Sequence, residues 1–339
     1  MKKFLLSQDG NFYKANLHCH TVLSDACFTP EQVKELYLSL GYSIVAYTDH
    51  DVFIPHPELN DESFLALHGV EIEINQFSSG DFNDMKSNHF CAIALDPDNH
   101  VQPCWNERFL YGNAPKNAYM VKKNEDEPPY EREYTGERIS DNMQKFREAG
   151  FFVTYNHPTW SMESCSEYMN FHGMNAFEMF NGSAMAMGFE DYNPRVYDDI
   201  LRGGERIYCI GADDNHNHGD PKSRRHDSGW AWTVIKADKL EYKTVTQALT
   251  DGNFYASEGP EIYELWYEDG RVHIKCSDAD RINYNTGRRC ARMALCEEGE
   301  TLTEASFEVS PKDVYFRLTV TDKKGRHACT NAYFIDELN

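Results

Sequence analysis

The chain has 339 residues, with 33 Lys and Arg against 55 Asp and Glu, a formal charge of −22. A hydrophobic fraction of 41%, with 13% aromatic residues, supplies a core and excludes wholesale disorder. The acidity argues against coating polymeric nucleic acid or docking on an anionic membrane, both of which demand Lys and Arg, whereas 14 histidines, many beside acidic residues, point to bound cations.

The N-terminus opens like a leader, but Phe4-Leu5-Leu6 is too short for its apolar region. No apolar run approaches the ~18–20 residues of a membrane span, and a cytoplasmic protein is expected. The ten cysteines form no C-x-x-C pair, which removes zinc-ribbon and thioredoxin-type sites. Residues 15–18 read as a short strand. Thr29 then makes an N-cap with Pro30 behind it, and Val33, Leu36, Tyr37 and Leu40 recur at helical spacing up to Gly41. Ile44–Tyr47 is a buried strand that stops at Thr48-Asp49-His50. The unit repeats. Strands are expected at 89–95, 151–155, 176–180, 207–210 and 230–235, and helices at 140–149, 196–202 and 244–250. Polar clusters follow the strands, a pattern that suggests a (β/α) barrel with its chemistry on that face.

Residues 97–138 interrupt this rhythm with prolines and a charged run, and read as an exposed insertion or as a lid over the site. After Gly259-Pro260 the style changes to short alternating segments at 261–267, 271–276, 292–296, 314–321 and 332–335. These predict a small all-β sandwich of default structural role. The expected units are therefore 1–257 and 258–339.

The strand-end residues carry the chemistry. In an extended segment residues i and i+2 point the same way, so His18 and His20 can face one point, and Asp214 and His216 another. Asp25, His50, Glu71, His89 and His157 join them. These residues supply more nitrogen and oxygen donors than one ion takes, since zinc takes about four and manganese or iron about six. The set suits two or three ions, with Glu71 able to bridge.

His18-x-His20 with Ser24-Asp25, Thr48-Asp49-His50, Gly69-Val70-Glu71, His89, Asn156-His157-Pro158 and Asp214-x-His216 occur in the order of the motifs of the PHP (polymerase and histidinol phosphatase) domain, which residues 12–257 resemble. More loosely, Gly229–Thr233 and Glu258-Gly259-Pro260 resemble the branch of that family with a C-terminal β-sandwich. The resemblance implies a distorted seven-stranded (β/α) TIM-like barrel with a trinuclear centre. It implies that His18, His20, Glu71 and Asp214 hold one ion. Glu71 would bridge to a second ion held by His89 and His157, and Asp25, His50 and His216 would hold a third. Asp213 is an alternative to Asp214, and His218 to His216.

The activity expected is hydrolysis of a small phosphorylated substrate by a hydroxide activated on divalent Mn, Fe or Zn. His226, then His218, are candidate proton donors to the leaving group. Lys222, Arg224 and Arg225, just past the last metal motif, are candidate phosphate contacts. Asn181 is a candidate to orient substrate or water. Rival readings are a carboxylic or carbamate esterase on the same site, an exonuclease, which the surface charge disfavours, and a non-catalytic metal-binding scaffold.

Overall fold

The computed structural model describes residues 2–76 and 81–338. Its main sheet begins with β1 (Asn11–Asn16), β2 (Ile44–Tyr47), β3 (Leu65–Gln76), β4 (Lys86–Ala94), β5 (Phe151–Tyr155), β6 (Ala176–Asn181) and β7 (Tyr208–Ala212), hydrogen-bonded in that order. The run returns on itself at its tips: the Asp214 amide donates to the His18 carbonyl at 2.9 Å and the His20 amide to the Asn215 carbonyl at 3.1 Å. The all-parallel pattern expected of repeated β–α units is not met throughout. β4 pairs antiparallel with both β3 and β5, because only residues 77–85 join β3 to β4, too few for the crossover that a parallel pair requires.

Helices cover the outside of this run. α1 (Pro30–Ser39) starts at the Thr29 capping box with Gln32, and Val33 and Tyr37 face inward. α2 (Gly136–Glu148), α4 (Pro194–Arg202) and α5 (Tyr242–Thr250) complete the layer, whereas the short α3 (Gly182–Met187) sits at the tip of β6. Among the described residues no helix is long and apolar enough to cross a membrane.

From β1 the sheet continues the other way through β8 (Trp232–Ala237) and β9 (Phe254–Ser257), and passes without interruption into the C-terminal part. There Tyr255, Ala256 and Ser257 pair with Thr330, Cys329 and Ala328. β10 (Ile262–Glu268), β11 (Arg271–Ala279) and β14 (Leu302–Glu308), edged by Lys3–Phe4, form a second sheet. It packs on the layer of β12 (Arg281–Thr286), β13 (Arg292–Leu295), β15 (Tyr315–Thr321) and β16 (His327–Thr330). Leu265, Val272, Ile274, Tyr284, Phe316 and Leu318 fill the space between the layers, as alternating strands with one buried face require. A buried ion pair, Arg317 on β15 with Asp198 on α4, ties this part to the helical layer at 2.8 Å and 2.9 Å.

Candidate metal centre

All nine candidate ligands meet at one end of the β1–β7 run. His18, His20 and Asp25 follow β1, His50 follows β2, His157 follows β5, and Asp214 and His216 follow β7. Glu71 lies within β3. His89 lies near the start of β4, and because that strand is reversed, its beginning lies where its neighbours end, with His89 opposite Glu73. His157 and Asp214 take positive φ, 23° and 54°. That conformation is uncommon outside glycine, and it turns the chain sharply at the strand tips.

The donor atoms converge. His18 Nε2 lies 3.1 Å from both Glu71 Oε1 and Asp214 Oδ1. His20 Nε2 lies 3.2 Å from Glu71 Oε2, 3.0 Å from Asp214 Oδ1 and 3.1 Å from His18 Nε2. Donors each about 2.1 Å from one ion, at tetrahedral to octahedral angles, are roughly 3.0–3.4 Å apart. Glu71 Oε1 is also 3.2 Å from His89 Nδ1 and 3.3 Å from His157 Nε2, so this carboxylate is shared between two groups of histidines. Asp25 lies 3.5 Å from His216 Nε2 and 3.8 Å from a ring nitrogen of both His20 and His50.

Proximity here is not mutual satisfaction. His50 Nδ1 is 3.2 Å from Glu71 Oε2, yet both atoms are buried with no hydrogen-bond partner, as are His20 Nδ1, His89 Nε2 and Asp214 Oδ1. Buried polar groups are normally paired. Hydrogen bonds of His18 with His20, and of His89 and His157 with Glu71, satisfy part of the cluster; the donor atoms left over are what divalent cations require, and the donor chemistry fits them.

Other residues fix the imidazoles. His18 Nδ1 sits 3.0 Å from Glu178 Oε1 and His157 Nδ1 3.3 Å from Ser161 Oγ, leaving each Nε2 for the cluster. His216 Nδ1 is 3.0 Å from the Asp214 carbonyl, which leaves its Nε2 toward Asp25. Burial alone would discharge His18 and His20, but the Asp214 and Glu71 carboxylates hold both well above the usual histidine range. Burial opposes and contact with Glu71 prevails at His157, which rises to about 9. At His50 burial outweighs Glu71 and lowers it to about 3.

The cluster forms the floor of a cavity of about 710 Å³. Its walls include Phe109, Leu110 and Tyr111 from the 97–138 insertion, and Trp160, whose ring lies 5.1 Å from His157 and 5.4 Å from His89. His218 lines the cavity, with its Nδ1 3.0 Å from Cys27 Sγ. His226 does not: it is buried beside Phe28, and its carbonyl accepts from the Trp230 indole. Lys222, Arg224 and Arg225 are also absent from the cavity wall. Turns at 220–226, closed by Ser223 N–H to Asp220 O and His226 N–H to Ser223 O, leave the three cations exposed. The arginines that line the cavity are Arg108 and Arg132.

Asn181 contacts the cluster indirectly, donating to Glu178 at 2.9 Å and to Asp214 at 3.1 Å. Asp213 faces away, accepting from Tyr37 and from the amides of Gly229, Trp230 and Ala231. Burial raises it to about 6, against those hydrogen bonds. Sequence reasoning missed Glu178, although a lone carboxylate inside the apolar strand Ala176–Phe180 was a visible signal. It also missed Asp49 as a brace: that side chain accepts from the amides and hydroxyls of Thr21 and Ser24.

No family model and no curated protein matches the chain. Among solved structures it is similar to a two-domain protein from Bacteroides vulgatus described as containing a predicted PHP-like metal-dependent phosphoesterase. Identity is 15%, 94% of each chain is covered and the TM-score is 0.45. It is also similar to a proposed metal-dependent phosphoesterase from Bifidobacterium adolescentis, with 17% identity, 64% of this chain and 91% of that one covered, and a TM-score of 0.39. An amidohydrolase from Chromobacterium violaceum matches at 16% identity over 60% of this chain and 88% of the other, TM-score 0.36. The first two of these structures are described as metal-dependent phosphoesterases, the first of them as PHP-like.

Proposed function

We propose that this protein is a metal-dependent hydrolase, and within that class a phosphoesterase of small phosphorylated substrates, with two or three ions at one mouth of a distorted seven-stranded barrel. The observation that carries the reading is the gathering of buried imidazole and carboxylate atoms around Glu71, where Glu71 Oε2, His50 Nδ1 and Asp214 Oδ1 have no hydrogen-bond partner. His18, His20, Glu71 and Asp214 would hold one ion, Glu71 with His89 and His157 a second, and Asp25, His50 and His216 a third. When bound, such ions bring the pKa of water toward neutrality and neutralise charge developing on the ester.

The chain's own residues do the rest. Glu178 and Ser161 set the ring orientation of His18 and His157. Asn181 holds Asp214 in place. Tyr111 lines the cavity with its ring 5.1 Å from His50, where its hydroxyl can offer a hydrogen bond to substrate. His218, on the same wall, is the other donor.

A second reading, hydrolysis of a carboxylic or carbamate ester, is favoured by one observation. Arg132, the buried cation of the cavity, is engaged by Asp51 at 2.6 Å and by the Glu73 carbonyl at 2.8 Å, and the exposed Arg108 pairs with Glu131 at 2.8 Å, so both arginines of the cavity already have acidic partners. The test is a panel of p-nitrophenyl phosphate, a phosphodiester and a p-nitrophenyl carboxylic ester, after loading with Mn²⁺, Fe²⁺ or Zn²⁺. Phosphate turnover that tracks metal content supports the first reading, and carboxylic-ester turnover alone the second. No turnover with any loaded metal returns the protein to a metal-binding scaffold.

A further inference from the structure

The 97–138 insertion carries none of the proposed ligands, yet it grips the chain beside several of them. The Asn113 amide donates to the Ser24 carbonyl at 2.6 Å. The side chains of Asn113 and Asn117 donate to the Val22 and Leu23 carbonyls at 3.1 Å and 2.9 Å. Gly112, at φ +58°, packs so tightly here that a Cβ on it would lie 2.6 Å from the Ser24 oxygen and 3.3 Å from the Asp25 Cβ. From the opposite side Asp49 takes the amides and hydroxyls of Thr21 and Ser24. The loop that ends in Asp25 is therefore held by its carbonyls on one flank and by its donors on the other. The same insertion lays the Tyr111 ring 5.1 Å from His50. It also sends Arg132 to Asp51 and to the Glu73 carbonyl, just past His50 and Glu71.

Asp25 is the donor that most needs such support. Its nearest approaches to the other ligands are 3.5–3.8 Å, against 3.0–3.3 Å around Glu71 and Asp214. Its side chain is 25% exposed where Glu71 is 1% exposed. Packing fixes Glu71, whereas Asp25 is fixed by the course of its loop and by one hydrogen bond within it, from Ser24 Oγ to Asp25 Oδ1 at 3.0 Å.

We propose that the insertion is a clamp for the Asp25 loop, with Gly112, Asn113 and Asn117 as positioning residues for the ion that Asp25, His50 and His216 would hold. The inference rests on the metal-centre reading above. It assigns the insertion a task other than covering the cavity, and ties occupancy of one ion position to residues that are not themselves ligands.

The test titrates Mn²⁺ into the metal-free full chain, by calorimetry with elemental analysis. The chains compared are the unmutated protein, Asp25→Ala as reference, Gly112→Ala, Asn117→Ala, and Tyr119→Ser as a control on the exposed side of the same segment. Gly112→Ala and Asn117→Ala should weaken the same ion that Asp25→Ala loses, the glycine variant by about tenfold or more, the range for groups supporting a ligand. The other ions should stay within about threefold, and Tyr119→Ser should match the unmutated protein. The clamp is overturned if both variants titrate like the unmutated protein, if every ion weakens equally, or if Asp25→Ala itself loses nothing. Those results leave the remaining metal centre standing. An unmutated chain that takes up no Mn²⁺ overturns the metal centre and the clamp together.

Discussion

Two buried clusters of charge in this protein follow opposite rules. Where β15 meets α4, Arg317 and Asp198 form a two-point pair, with Tyr315 donating to the same carboxylate at 3.0 Å and Thr319 accepting from the guanidinium at 3.1 Å. At the tips of β1–β7, the carboxylates and imidazoles approach just as closely but leave several donor atoms without partners. Burying an ion is costly unless it is paired and hydrogen-bonded. The first cluster meets that cost internally and has no need of a ligand. The second meets it only with something added, and this contrast separates a structural ion pair from a binding site more sharply than charge or burial alone.

The contrast can be broken at either end. Glu71→Gln removes the one carboxylate shared between ion positions. It should abolish hydrolysis by about a thousandfold or more and strip most of the bound metal, read by kcat and elemental analysis. Arg317→Ala should do the reverse: metal content holds, while stability falls by about 2–3 kcal/mol, because Asp198 loses its two-point partner but keeps the Tyr315 hydroxyl and Arg202 at 3.8 Å, measured by denaturant unfolding. An equal loss of metal in that variant would show that the two clusters are coupled.

Smaller effects sharpen the comparison. Glu178→Gln keeps the shape but weakens the brace on His18, and should lower metal affinity by about 10–100-fold with little change in fold, checked by titration and circular dichroism. The proton inventory supplies the last test. His18, His20 and His157 are raised, His157 to about 9, so at neutral pH they carry protons that a cation must displace. Lowering the pH adds protons and weakens binding. Raising it toward 9 should strengthen Mn²⁺ binding by about tenfold per unit for each proton displaced. Calorimetry in buffers of different ionisation enthalpy counts those protons directly.

Much of this was readable before any coordinates. Thr29-Pro30 announces α1, and Phe151–Tyr155 is the strand that the sequence predicts, because capping chemistry and a continuous apolar run are local properties. The i, i+2 spacing of His18 and His20 foretells that their Nε2 atoms meet. The long strand Leu65–Gln76 was not foreseen, nor were β9, β12, β14 and β16, whose mixed patterns take their meaning from the strands beside them. Lys222, Arg224 and Arg225 show the limit of adjacency: they follow His216 within nine positions, yet a pair of turns carries them to the surface.

By itself the sequence determined which residues could bind cations, since ligand chemistry is a property of side-chain type and of spacing along short segments. It also set the start of α1 at Thr29-Pro30 and the bounds of the strand Phe151–Tyr155. Only the tertiary structure decided how those residues combine. It reversed β4 so that His89 reaches Glu71, placed Glu178 behind His18, turned Asp213 away while Asp214 faced in, and laid Gly112 against the loop of Asp25. The physical reason is that each of these contacts joins positions more than fifteen residues apart, or depends on the backbone turn between neighbours, and neither is written in local composition or period.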